Sequence, residues 1–436
     1  METSTLYHLF QQQRLVTTDS RNCPQGSIFF ALKGENFNGN AFASKALEAG
    51  CAYAVIDEEA YAIPNDKRYI LVDNVLKTLQ SLANYHRRQL GTRVIGITGT
   101  NGKTTTKELV ATVLSQVHHV LYTEGNLNNS IGVPLTLLRL TAEHDIAVIE
   151  MGASHPGDIK ELVEIAEPDF GLITNVGMAH LQGFGSLEGV IRTKGELYDY
   201  LRTKPESTIF INNDNEHLKQ IAGDLNKIFY GKPDTKNALR VSGEVIDCAP
   251  YLHFRWRMSN ASWYEVQTHL IGSYNIDNMM AAATIGLYFG VTPVQINKAL
   301  SEYIPQNNRS QLQHTSRNRL IIDAYNANPT SMMAALKNFR DMDVAPKMAI
   351  LGDMKELGEC SLEEHKKIVA FLDEAGIDKV WLVGDQFIAT VNSDKHLTFT
   401  DVNKVIETIQ KEEIQNFYIL IKGSNSMKLA QTVPHL

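Results

Sequence analysis

Short apolar runs alternate with longer stretches of helical period along most of the chain, the pattern of α/β layers built on parallel sheets. Residues 1–90 hold a polar-to-apolar passage, DSRNCPQGSIFFALKGENFNGN, and a helix-like stretch from Phe42 to Ala49. An apolar strand at Ala52–Ile56 and a second helix over Leu76–Gln89 follow. A boundary is expected near Gly91, because Arg93–Ile97 starts a buried-strand pattern that runs straight into a glycine-rich turn. The order is then strand Val94–Ile97, loop TGTNGK and helix Thr104–Val117, with further strands at Ala147–Ile149, Leu172–Asn175 and Thr208–Ile211. Residues 240–271 are rich in alternating and β-favouring positions and read as β-structure, and Asn275–Phe289 reads as a helix. A second boundary falls near Pro305–Asn308, where a polar run separates two periodic regions. Beyond it, short strands at Leu320–Asp323, Met348–Leu351, Val380–Val383 and Tyr418–Ile421 make a second, smaller α/β unit.

The length of 436 residues agrees with this division into roughly three domains of about 150 residues. Hydrophobic residues at 43% and charged residues at 21% are the proportions of an ordinary globular protein, not a disordered one. A net charge of −8 argues against a non-specific nucleic-acid or acidic-membrane binder, so any anionic ligand must be held by local groups. The start, METSTLYHLFQQQRLV, has no basic region ahead of an apolar run. No segment approaches the ~18 apolar residues of a membrane span, and a cytoplasmic protein is expected. Cys23, Cys51, Cys248 and Cys360 are widely spaced with no zinc pattern, which favours free thiols.

Candidate chemistry concentrates in the run Gly96 to Thr105, GITGTNGKTT. Gly99, Thr100, Asn101 and Gly102 let the backbone curl its N–H groups toward phosphate oxygens, and the following helix adds its positive end. Lys103 can then reach the β- and γ-phosphates of ATP, Thr104 can ligate Mg²⁺, and Thr105 is counted with them among the nucleotide-binding residues. Ile97 stands where the strict phosphate-loop pattern has its first glycine. Glu150 ends the apolar run IAVIE where a parallel sheet opens its crevice, as a metal partner does, though a capping or surface Glu has the same local pattern. His180 follows the next strand and reads locally as a structural histidine; Lys194 in RTKGELYDYL reads as a solvated helix lysine. Asp323 at a strand end suits ribose hydroxyls or a turn, before a helix capped by Thr330 or Ser331. Lys422, Gly423 and Ser424 sit between a strand and a helix, another anion-binding geometry. A switch GTPase is disfavoured because no NKxD-type sequence occurs, and a dinucleotide oxidoreductase because G-x-G-x-x-G is missing.

Taken together, DSR…GSIFFALKGENFNGN, TGTNGKTTTKEL, EGNLNNSIGVPLTLL, IEMGASHPGDIKEL, TNVGMAHLQGFGS…KGEL, GSYNIDNMMAA, DAYNANPTSM, LGDMKELG and KGSNSM resemble the Mur ligases of bacterial cell-wall synthesis over nearly the whole chain. The resemblance implies three domains: residues 1–90 for a UDP-sugar, 91–305 a central P-loop ATPase with a parallel sheet, and 306–436 a Rossmann-like unit for an incoming dipeptide. The YNANP run favours the branch that joins D-alanyl-D-alanine to UDP-N-acetylmuramoyl-tripeptide through an acyl phosphate; a sibling ligase and folylpolyglutamate synthase are the nearest alternatives. The implied cofactors are ATP, Mg²⁺ and CO₂, the last as a carbamate on Lys194. By the same resemblance Lys103, Glu150, His180 and Lys194 are the catalytic set, with Thr104, Glu150, His180 and the Lys194 carbamate around the metal. Asn275 and Asn278 match adenine-side positions, and Arg309 and Asp323 match phosphate and ribose contacts. Ser20 and Arg21 match a uridine grip, Asn126, Asn128 and Asn129 fall where substrate and loop contacts are expected, and Tyr325, Asn326 and Asn328 match the seat of the dipeptide. No nucleic-acid partner is implied, and the unit is expected to be a monomer. Asn38, Asn40, Ala324 and Asn425 depart from the family pattern.

Overall fold

A computed structural model describes residues 2–436 except 235–237, 260, 307–308 and 392–394. Asn307 and Asn308 of the expected second boundary therefore lie outside the described residues.

The first unit is a parallel four-stranded sheet in the order Val16–Thr17, Ile28–Phe30, Tyr53–Ile56, Tyr69–Leu71. Side chains alternate across a strand, so Ile28, Phe30 and Val55 pack with Leu6, Phe10, Leu79 and Leu82 on one face. Phe29, Ala54 and Ile56 pack with Ala46 and Leu47 on the other. Helix Val75–Leu90 starts at Asn74, whose side chain accepts from Lys77 N–H at 2.8 Å, and stops at Gly91, where φ of +65° suits glycine. Its apolar face continues into the central unit, since Leu79 and Leu82 share one core with Val133, Leu137, Ile159 and Leu162. Asn40, one of the departures from the family pattern, is buried and donates to Asp57 at 2.8 Å and to Asn38 at 2.9 Å, while Lys33 pairs with Asp57. These amides form a closed structural network.

The central sheet has nine strands. Seven of those described are parallel, six of them in the order Asn226–Gly231, Thr208–Asn212, Phe170–Ile173, Arg93–Thr98, Ile146–Glu150 and Val120–Tyr122. Val241–Cys248 joins the first of these in parallel, and the antiparallel hairpins to Tyr251–Met258 and Tyr264–Ile271 extend that edge. Leu252, Phe254 and Trp256 alternate into the core, as expected of a sheet with one covered face. The strand expected at Leu172–Asn175 ends at Ile173, and the helix expected to reach Val117 stops at Leu114.

The third unit is a six-stranded sheet in the order Gln311–His314, Arg319–Asp323, Tyr418–Lys422, Lys347–Gly352, Lys379–Val383, Leu397–Phe399, parallel except for its first strand. Apolar clusters cover both faces. Helix Pro329–Asp341 is capped by Asn328, not by Thr330 or Ser331: Pro329 fills the first helical position, and Asn328 and Ser331 bond each other's backbone N–H. All four cysteines are free.

Candidate active site

From Arg93–Thr98 the chain crosses outward to Val120–Tyr122 and back to Ile146–Glu150 on one side, then to Phe170–Ile173 on the other. Strand ends part at this switch point, and the loop Gly99–Gly102 fills the gap. Gly99 (φ +142°) and Gly102 (φ +77°) supply the backbone freedom. The strand at Phe170 stops early because Thr174 and Asn175 serve this loop: Thr174 Oγ1 donates to Asn101 O at 2.6 Å, and Asn101 N–H donates to Asn175 Oδ1 at 2.9 Å. Neither residue was singled out from sequence; their position just past an apolar strand beside the loop was the available signal.

A β-carbon on Gly99 would stand 2.0 Å from Thr174 Oγ1. Gly99→Ala is therefore expected to cost about 2 kcal/mol or more of stability and to weaken nucleotide binding, read by thermal denaturation and ADP titration. Nucleotide affinity equal to that of the parent would contradict this role for the loop.

Lys103 Nζ donates across the loop to Gly99 O (2.8 Å) and Thr100 O (3.1 Å). Burial pushes its ammonium down to about 8, Arg309 adds repulsion, and Glu150 pulls the other way. Glu150 is 1% exposed; its Oε1 accepts from Thr104 Oγ1 (3.1 Å) and Asn128 Nδ2 (2.8 Å), while its Oε2 is buried with no hydrogen-bond partner. That unpartnered oxygen beside a threonine hydroxyl fits Mg²⁺. Among the described residues no group of three His, Cys, Asp or Glu is arranged to hold a metal by itself. This suits an ion bound through one or two carboxylates plus phosphates.

Lys194 is not the solvated lysine its local sequence suggested. It is 2% exposed, with Nζ 5.4 Å from the Phe184 ring centroid and 3.5 Å from Ala153 O. Burial, and then Lys103, push it down to about 7. His180 Nδ1 lies against the Glu356 carboxylate of the third unit. Burial lowers the His180 pKa, and Lys103 and Lys194 repel its charged form.

These groups open on a cleft of about 670 Å³ that the third unit closes from the other side with Arg309, Asp323, Tyr325 and Asn326. Arg309 stacks on Tyr325, 3.9 Å to the ring centroid, with its Nε buried and unpartnered. Asp323 pairs with Lys422 on the neighbouring strand, so Lys422 is no free cation. Asn275 and Asn278 line the cleft, yet Asn278 accepts from Thr106 Oγ1 (2.9 Å) and donates to Asn275 (2.8 Å), which in turn donates to Ile271 O. Asn128 and Asn129 line it too, and Asn129 Oδ1 also accepts from Gly132 N–H at 2.8 Å where the helix Gly132–Leu137 begins. Asn126 is exposed outside the cleft, and Lys194 and Asn328 are buried and do not line it. Ser20 and Arg21 are in the first unit away from the cleft, with Arg21 paired to Asp19. Sequence reasoning did not find Asp277, which also lines the cleft and whose carboxyl burial pushes up to about 6.

Three family models match in order: the Mur ligase family catalytic domain over residues 13–87, the Mur ligase middle domain over 97–286, and the Mur ligase glutamate ligase domain over 308–425. The chain belongs to the Mur ligase family. This Mur ligase is 37% identical to the UDP-N-acetylmuramoyl-tripeptide--D-alanyl-D-alanine ligase of Bacillus subtilis, over 97% of the chain and 92% of that protein. The crystal structure of MurF from Acinetobacter baumannii superposes with a TM-score of 0.87 at 29% identity, covering 98% and 97% of the two chains. MurF of Thermotoga maritima in complex with ADP gives 0.85 at 26% identity, with 97% of each chain covered.

Proposed function

We propose that this Mur ligase joins D-alanyl-D-alanine to UDP-N-acetylmuramoyl-tripeptide, driven by ATP, in peptidoglycan precursor synthesis. The observation that carries the reading is the cleft in which the phosphate loop faces a wall from the third unit. Relatives that carry out this reaction by name match along almost the whole chain. Residues 1–90 hold the UDP-sugar with Ser20 and Arg21, residues 91–305 hold ATP, and residues 306–436 hold the dipeptide with Tyr325 and Asn326.

A carboxylate is a poor acyl donor, so the tripeptide carboxylate attacks the γ-phosphate and ADP leaves. The dipeptide amine then adds to the acyl carbon, loses a proton, and expels phosphate. Backbone N–H groups of Gly102 and Lys103 at the helix start, with the Lys103 ammonium, hold the phosphates in line, since those of Thr100 and Asn101 are taken by Asn175, and Arg309 meets charge from the opposite wall. Thr104 and Glu150 would hold Mg²⁺, which supplies charge neutralisation at phosphate oxygens. His180 and Lys194 complete that side, Lys194 as a carbamate formed when its neutral amine adds to CO₂ and releases a proton. Closure of the two walls keeps water from the acyl phosphate.

No helix among the described residues is long and apolar enough to cross a membrane. The cytoplasm, where ATP and nucleotide-linked precursors meet, is the proposed site of action. The cleft is complete within one chain, which supports a monomer as the working unit.

Phosphate release that needs UDP-N-acetylmuramoyl-tripeptide and D-alanyl-D-alanine together is the expected result. Release of equal rate with either substrate left out, or with D-glutamate in place of the dipeptide, would refute the reading.

A further inference from the structure

Asn101 and Asn328 are 227 positions apart in the chain and meet side chain to side chain beside the cleft. Asn328 Nδ2 donates to Asn101 Oδ1 at 2.7 Å, and Asn101 Nδ2 lies 3.5 Å from Asn328 Oδ1. Each residue is fixed independently on its own side. The backbone of Asn101 is held by Thr174 and Asn175, and Asn328 Oδ1 accepts from Ser331 N–H at 2.9 Å as the cap of its helix. Beside the pair, Thr330 Oγ1 would stand 3.1 Å from a β-carbon on Gly177, whose N–H donates to Thr100 Oγ1 at 3.0 Å. Further along the same helix, Asn338 Oδ1 accepts from Ser273 N–H at 3.1 Å. Helix Pro329–Asp341 is thus tied at its start to the phosphate loop and near its end to the segment that leads into helix Ile276–Tyr288.

We infer that the Asn101–Asn328 amide pair is a positioning contact, through which the phosphate loop sets the place of the dipeptide wall and keeps the acyl phosphate for the amine instead of water. The inference rests on the proposed ligase reading. The two amides bond each other directly, a contact between the loop and the wall that needs no ligand to form. A neutral amide pair has directional geometry but little strength, which lets the wall leave after each turnover. When the wall is loose, water reaches the acyl carbon and phosphate is released without a peptide bond.

The deciding quantity is phosphate released per peptide bond formed, measured with ATP, UDP-N-acetylmuramoyl-tripeptide and D-alanyl-D-alanine all present. Asn328→Ser keeps a capping hydroxyl but is too short to reach Asn101, and Asn101→Ala removes the other partner. Each change is expected to raise the ratio at least threefold, and the double variant to raise it no further than the worse single one. A melting temperature of Asn328→Ser close to the parent's shows that the helix is intact. A parental ratio in both folded single variants, or increases that multiply in the double, would overturn the pair's role. A parent protein with no substrate-dependent phosphate release counts against the ligase reading, whereas normal turnover with an unchanged ratio in Asn328→Ser counts against the pair alone.

Discussion

Lys194→Ala is expected to lower peptide-bond synthesis by about 100- to 1,000-fold, the scale of losing one preorganised electrostatic contact. Bicarbonate or a short carboxylic acid such as acetate is expected to restore part of it. An ammonium ion at this position has one long hydrogen bond and a ring face for company, and it is repelled by Lys103. The neutral amine is accordingly accessible near pH 7, and that form reacts with CO₂. Carbamylation would reverse the interaction with Lys103: the charge that disfavours the ammonium would favour an anion, against the more modest pull of Asp158 and Glu196, and the new oxygens would be the hard ligands Mg²⁺ prefers. Lys194→Arg cannot form the carbamate and is expected to be as inactive as the alanine variant. The check is steady-state turnover with and without added acid. Full activity in Lys194→Ala, or a loss that no acid repairs in a folded variant, would remove the carbamate from the mechanism.

Glu150→Gln should be comparably damaging to turnover, again about 100-fold or more, but without loss of stability. The substitution preserves shape and the contacts to Thr104 and Asn128 at Oε1, and it removes a buried charge whose second oxygen has no partner. A buried carboxylate with one unpartnered oxygen carries a desolvation cost that offsets its attraction to Lys103, so the unfolding midpoint is expected to stay level. Activity lost together with several degrees of stability would make Glu150 a structural residue. Activity retained at low Mg²⁺ would refute its place beside the ion.

The phosphate loop was legible in the sequence because every position of TGTNGKT has a local reason to be there, and IAVIE announced Glu150 by ending an apolar strand in a carboxylate. Lys194 was legible in principle: Val190, Lys194, Leu197, Tyr198 and Leu201 share one helical stripe, and that stripe is buried. Local reading misjudged it because the type of residue outweighed its phase. What no local pattern carried were pairings across units. Glu356 against His180 and Asn328 against Asn101 depend on where two separately folded sheets stop relative to one another. The cap of helix Pro329–Asp341 was missed for a smaller reason, since Pro329 moves the helix start one residue ahead of the obvious threonine.

The core shared by the first and central units has a metric consequence. Leu79 and Leu82 share one continuous buried core with Val133, Leu137, Ile159 and Leu162, and close-packed side chains of this kind resist sliding of the two units past each other. In the proposed assignment the uridine end is gripped on one of them and the γ-phosphate on the other, which makes the interface a ruler. The peptide stem must span a fixed interval to bring its carboxylate to Lys103, and a nucleotide-sugar with a stem one or two residues short would bind at its uridine end yet fall short of the phosphate.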